Sequence, residues 1–180
     1  MEGTATMSIL AQRGTEKRVT NKRRSDMEEV KYVPGDLVMT DGAPIGTKKG
    51  VIYIVTASDP SRSLTLKDGT VNKGVVTLDA VSEDDKAHFV ETSTWVKHIV
   101  PILLTEKILK DNGWKYKRES GIDTYTFGED ISASVIIEVS RDKEFCLTVS
   151  NSSYINLKIK HVHQLQHLLF GLGLDSNLKV

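Results

Sequence analysis

"YINLKIKHVHQLQHLLFGLG", residues 154–173, changes its period in the middle. Ile155, Leu157 and Ile159 alternate with Asn156, Lys158 and Lys160, the two-residue repeat of a strand with one face buried and one in water. From Val162 the repeat lengthens, and Val162, Leu165, Leu168, Leu169 and Leu172 fall within about one third of a helical wheel. The spacing predicts a helix over 162–172 that covers the apolar face of a sheet, with Gly171 and Gly173 releasing the chain.

Upstream, "WKYKRE", "DTYTF", "SASVIIEV" and "EFCLTVS" read as further strands, separated by turn residues at Ser120-Gly121, Gly128-Glu129-Asp130, Arg141-Asp142-Lys143 and Asn151-Ser152-Ser153. Ahead of them, Pro101 interrupts an extended run and Thr105 can cap a short helix over 105–112. Glu106 suits the positive end of its dipole, Leu104, Ile108 and Leu109 share a face, and Gly113 is placed to end it. Residues 98–180 are thus expected to form an antiparallel sheet with two short helices.

Residues 31–97 have another texture, of short β-rich runs between turns. Pro34-Gly35-Asp36 leads into Leu37-Val38-Met39, "GVIYIV" supplies Val51 to Val55, and Asp68-Gly69 joins two alternating segments. Closely spaced strands of this kind imply a small bent sheet, with an SH3-like β-barrel as the expected solution. The fold class read from the sequence is therefore α+β: a small SH3-like barrel followed by an antiparallel sheet unit. The stretch Leu78 to Glu91 sets Asp79, Glu83, Asp84, Asp85 and Glu91 against Lys86, lacks the spacing of a calcium loop, and reads as a solvated loop.

Residues 1–30 carry few large apolar side chains and no sustained period, and read as a flexible basic arm. Within it Arg13, Lys17, Arg18, Lys22, Arg23 and Arg24 face only Glu16. Such a run is either a solubilising tail or a set of phosphate contacts for a nucleic acid, although no aromatic in the arm could stack on bases.

Over the whole chain of 180 residues the 24 basic and 24 acidic side chains balance, so no global field draws the protein to nucleic acid or membrane. One cysteine, Cys146, excludes an internal disulfide. No secretory leader or membrane-length apolar run is legible, and the cytoplasm is the expected compartment. No G-x-S-x-G elbow, phosphate-binding loop, dinucleotide fingerprint or H-E-x-x-H motif occurs, and Cys146 sits in an alternating strand. The chain is expected not to be an enzyme and to need no cofactor. His163 and His167 stand four apart, but without a carboxylate or third ligand in the motif they predict no metal site. On the wheel His163, Gln166, His167 and Phe170 gather opposite the leucine stripe, and this face is the expected protein-contact patch.

Two stretches carry a resemblance. "IKHVHQLQHLLFGL", through Ile159, Val162, His163, Gln164, Leu165, Gln166, Leu168 and Phe170, resembles the C-terminal signature "VHQLQNLYFALTG" of a family of small uncharacterised proteins from phages and mobile elements of gut anaerobes. "VPILLTEKILKDNGW" is similar to their "IPLTEEILLKCGF" at Pro101, Ile102, Leu104, Thr105, Glu106, Ile108, Leu109 and Gly113, and Pro34 to Val38 loosely resembles their opening strand. His167 replaces the usual Asn and Gly171 the usual Ala; the basic arm and the acidic stretch lie outside the pattern. The resemblance spans about residues 33–180 and implies an origin and a domain plan, not a mechanism. The function expected is that of a non-enzymatic accessory protein of a phage or mobile element, acting through contacts with a protein partner. A nucleic-acid binder working through the basic arm, or a minor virion component, is the alternative.

Overall fold

The apolar runs Leu37-Val38-Met39 and Ile52 to Val55 do not alternate with polar residues, because both faces of the strands they form are covered. In the computed structural model, which describes residues 31–86, 89–128, 135–140, 144–149 and 153–180, these runs lie in β1 (Leu37–Thr40) and β2 (Ile52–Thr65). With β3 (Val71–Ala80), β4 (Thr92–Trp95) and β5 (Ile99–Pro101) they make an antiparallel sheet of order β4-β3-β2-β1-β5. A 3-10 turn, Val96–His98, links β4 to β5. Val38, Tyr53, Val55, Val76 and Leu78 fill the hollow of this bent sheet, while Leu37, Met39, Ile52 and Ile54 turn the other way.

That second face rests on the core of a second antiparallel sheet. The strands β6 (Lys115–Glu119), β7 (Ile122–Phe127), β8 (Val135–Val139), β9 (Phe145–Val149) and β10 (Ser153–Ile159) follow one another as a meander. Tyr125, Ile137 and Leu147 form one row across it, set by the pairings Tyr125↔Ile137 and Ile137↔Leu147, and are buried. Two helices cover this face, α2 (Glu106–Asp111) with Leu109 and α3 (Val162–Gly171) with Val162, Leu165 and Leu169. A one-turn helix, α1 (Glu83–Lys86), lies in the acidic stretch. Thr105 caps α2 by accepting from the Ile108 amide at 3.2 Å, and Gly113 follows it at φ +78°, a conformation glycine enters without steric cost. Gln164 accepts from the amides of Lys160 and His161, joining β10 to the first turn of α3.

Three expectations need revision. The SH3-like barrel expected over 31–97 is not seen closed: β4 and β5 are the two edges of an open sheet, and the 3-10 turn Val96–His98 carries the chain from one edge to the other instead of folding the two strands onto each other. The first sheet takes its last strand from 99–101, beyond residue 97, and its convex face shares an apolar cluster with the second sheet; Lys31–Val180 forms one unit. Leu157 faces the same way as buried Leu147 but is half exposed, because β10 is an edge strand with an irregular register between Ser153 and Leu157. Among the described residues no helix is long and apolar enough to cross a membrane.

Candidate functional site

Val33-Pro34-Gly35-Asp36 forms a type II turn. Proline presets the first central position, Gly35 at φ +99° fills the second, and the Asp36 amide closes the turn on the Val33 carbonyl at 3.1 Å. The Asp36 carboxylate tightens it by accepting from the Val33 amide at 2.9 Å. On one side the turn is tied to β2, Gly35 donating to the Val55 carbonyl and Val55 to that of Asp36. On the other, β5 ends at Pro101 opposite Val38, so the backbone before Val38 has no strand beside it.

A side chain of α3 takes that place. Gln166 Oε1 accepts from the Leu37 amide at 3.0 Å and its Nε2 donates to the Gly35 carbonyl at 3.0 Å, as a neighbouring strand would. The same nitrogen reaches the Ser176 carbonyl at 3.3 Å and draws the C-terminal segment in. One residue on, His167 Nε2 meets both oxygens of Asp36, at 2.8 and 2.9 Å. Asp36 is only 1% exposed, and burial raises its pKa, against the opposing pull of the Val33 amide and His167.

The patch expected on the outer face of α3 is therefore divided. His163 and Gln166 are buried, His167 is half exposed, and Phe170 is 78% exposed. The helix has two covered faces, Val162, Leu165 and Leu169 against the second sheet and His163 with Gln166 against the entry to β1; of the expected stripe, Leu168 is partly buried and Leu172, at the C-cap, is 45% exposed because the helix ends before it. A wheel separates polar from apolar residues, but it cannot register a backbone left unpaired 131 positions earlier. The one local signal is Pro101, whose missing N–H argues against further pairing beside β1.

His163 packs against Tyr32 with ring centres 5.2 Å apart, stacks on His161 at 5.5 Å, and meets the edge of His167 at 5.9 Å. Its Nδ1 is buried and, among the described residues, has no hydrogen-bond partner. Burial first, and then the neighbouring His161 and His167, push its pKa down to about 4, so the ring is neutral near pH 7. Burial and the nearby Asp36 push the Tyr32 phenol up to about 12. The histidines do not gather into a metal centre: among the described residues no group of three or more His, Cys, Asp or Glu is placed to hold an ion, and His167 Nε2 is already committed to Asp36.

Between this turn, α3 and the C-terminal segment lies a cavity of about 410 Å³, lined by Val33, Pro34, Gly35 and Asp36 together with Gln166, His167, Phe170, Ser176 and Asn177. A wider hollow of about 620 Å³ beside β7 and β8 is lined by Glu106, Arg118, Asp123, Glu138 and Cys146 among others. Two of its three carboxylates are engaged: Glu106 accepts from the Tyr125 hydroxyl, and Asp123 from that of Tyr116, both at 2.7 Å. The acidic residues 79–91 are partly paired within the fold, Glu83 with Lys86 and Glu91 with Thr56. The basic positions Arg13, Lys17, Arg18, Lys22, Arg23 and Arg24 lie outside the described residues. The chain matches no protein-family model, none of the curated proteins and no solved structure, and its site is read from its own geometry.

Proposed function

We propose that the chain is a non-enzymatic accessory protein that binds another protein through the mouth of the cavity between the Val33–Asp36 turn and α3. The observation that carries this reading is Phe170, a large aromatic 78% exposed at the rim of a cavity. Val33, at the same rim, is also exposed. The polar groups beneath, Asp36, Gln166 and the His167 Nε2, are spent on holding the turn to α3. That bracing suits a preformed docking surface, which spares a complex the cost of ordering its contact residues. The resemblance of residues 101–113 and 159–170 to phage and mobile-element proteins is the ground for proposing a partner in the cytoplasm of a bacterial host.

A photo-reactive benzoylphenylalanine at position 170, introduced in cells that naturally encode the protein, tests this. A discrete protein adduct is expected from position 170 and not from position 116, where Tyr116 is another exposed aromatic, on β6. Equal adducts from both, or none from 170, refute the reading. A nucleic-acid function rests on the basic run between Arg13 and Arg24 and carries its own salt signature, given below.

A further inference from the structure

We propose that Tyr32 and His163 form an acid-opened latch: in mild acid a proton on His163 drives Tyr32 and Val33 off α3, hinged at Pro34-Gly35, while the two sheets stay folded. The latch works in the isolated chain, with or without a partner. The His163 ring is 3% exposed, with Tyr32 centred 5.2 Å away, His161 stacked on it within 11° of parallel, and the edge of His167 at 5.9 Å. Among the described residues its Nδ1 has no hydrogen-bond partner and no carboxylate pairs with the ring. Asp36, beside Tyr32 and His167, already spends both oxygens on His167 and one of them on the Val33 amide as well. A proton on His163 therefore lacks a counter-charge, and it faces His167 on one side and on the other His161, with Lys160 next to that ring.

Water relieves that charge, and Tyr32 is the movable wall. On the far side of α3, Val162, Leu165 and Leu169 are fully buried in the shared core, and behind the hinge Gln166 holds Gly35 and Leu37 while Gly35 also donates to the Val55 carbonyl. Ahead of the hinge the chain is held by the Tyr32 ring and by the two bonds between Val33 and Asp36. Because the Tyr32 ring also belongs to the apolar cluster of the first sheet, the open form is rare at neutral pH. The closed His163 ring takes a proton only near pH 4, whereas a ring opened to water takes it at the ordinary 6.5. Opening is thus independent of His163 above pH 6.5, grows as pH falls below it, and levels off once the closed ring titrates; from pH 7.5 to 5 it rises roughly thirtyfold. Asp36 acts in the same direction, since protonating its raised carboxyl weakens its hold on the Val33 amide and His167. The Tyr32 phenol, pushed up to about 12, stays neutral throughout. Opening withdraws Val33 from the rim of the cavity.

Hydrogen exchange of the full chain, followed amide by amide by NMR at pH 7.5, 6.0 and 5.0 and corrected for the intrinsic pH dependence of exchange, tests the latch. The Val33 and Asp36 amides, whose bonds break on opening, should exchange faster than those of Ile137 and Leu147 in the second sheet and respond little to urea below the unfolding transition, the mark of a local opening. Their opening should increase roughly thirtyfold from pH 7.5 to 5.0 in the wild type and stay nearly flat in His163→Phe, which keeps a ring against Tyr32. In Tyr32→Ala, with the wall gone, the His163 ring resonances should titrate near the ordinary 6.5. The proposal is overturned if the Val33 and Asp36 amides exchange only as slowly as the second sheet and share its urea dependence, or if the pH response survives in His163→Phe, which would assign it to Asp36. It is equally overturned if His163 stays neutral down to pH 5 in Tyr32→Ala. Either variant decides alone should the other fail to fold.

Discussion

His163 should make this protein sensitive to mild acid. In the fold its imidazole binds a proton only near pH 4, whereas in the unfolded chain it does so at its ordinary 6.5. Above pH 6.5 neither state is protonated and the residue has no effect on the pH dependence. As pH falls below 6.5 the unfolded chain gains a proton that the native ring refuses, so stability is lost, and the loss saturates once the native ring also titrates. With roughly 1.4 kcal/mol for each tenfold difference in proton affinity, the loss is about 2 kcal/mol at pH 5 and about 3 kcal/mol at pH 4 and below. Asp36 acts in the opposite direction. Its raised native pKa favours the fold on the acid side and is lost as pH rises through that value. Comparison of the wild type with His163→Phe cancels the Asp36 contribution and keeps the ring against Tyr32. Urea unfolding at pH 7.5, 6.0, 5.0 and 4.5 should show the variant within about 1 kcal/mol of wild type at the first pH, since the ring is kept and the Nδ1 it replaces has no hydrogen-bond partner among the described residues. It should pull ahead of wild type by about 2 kcal/mol at pH 5. Parallel pH profiles for the two proteins would mean that His163 is not held neutral by burial, and the packing deduced for it would be wrong.

Gln166→Ala leaves the Leu37 amide and Gly35 carbonyl without their partner and should cost roughly 2–4 kcal/mol in urea unfolding, more than Gln164→Ala, which removes only an exposed cap. Leu165→Ala and Leu169→Ala, at fully buried positions, should each cost roughly 2–5 kcal/mol in the same assay. Phe170→Ala should stay within about 0.5 kcal/mol of wild type while weakening partner binding, since its side chain is mostly in solvent. Deleting residues 1–29 should leave the unfolding midpoint nearly unchanged. If the arm binds phosphates, the deletion abolishes most affinity for RNA or DNA, and in the intact chain that affinity falls steeply between 50 and 200 mM salt; affinity that survives deletion would remove the basic run from consideration.

The elements were legible wherever local chemistry decides them. Thr105 and Gly113 mark the ends of α2 because a cap and a left-handed residue are local needs, and the leucine stripe of α3 shows because one sheet lies directly under it. The expected barrel failed for a different reason. Closure depends on whether the two edge strands pair, and that β4 and β5 are the edges is visible only once the pairing is known.

The site was half legible for a reason that also explains its construction. Pro34-Gly35 forces a tight turn just before β1, and Pro101 ends β5 just short of it, so two proline positions far apart in sequence leave one backbone edge unpaired at Gly35 and Leu37. A buried edge must find a donor and an acceptor, and among side chains an amide supplies both. Gln166 is therefore inside despite its polarity, and once it is inside, the helical repeat brings His163 in as well and His167 beside Asp36. Phe170, one turn beyond Gln166, is carried past the end of the covered zone and left at the rim. Of the four residues that the wheel set on one outward face, Gln166 and His163 are buried, His167 is tied to Asp36, and Phe170 alone stays mostly in solvent, where a partner can reach it.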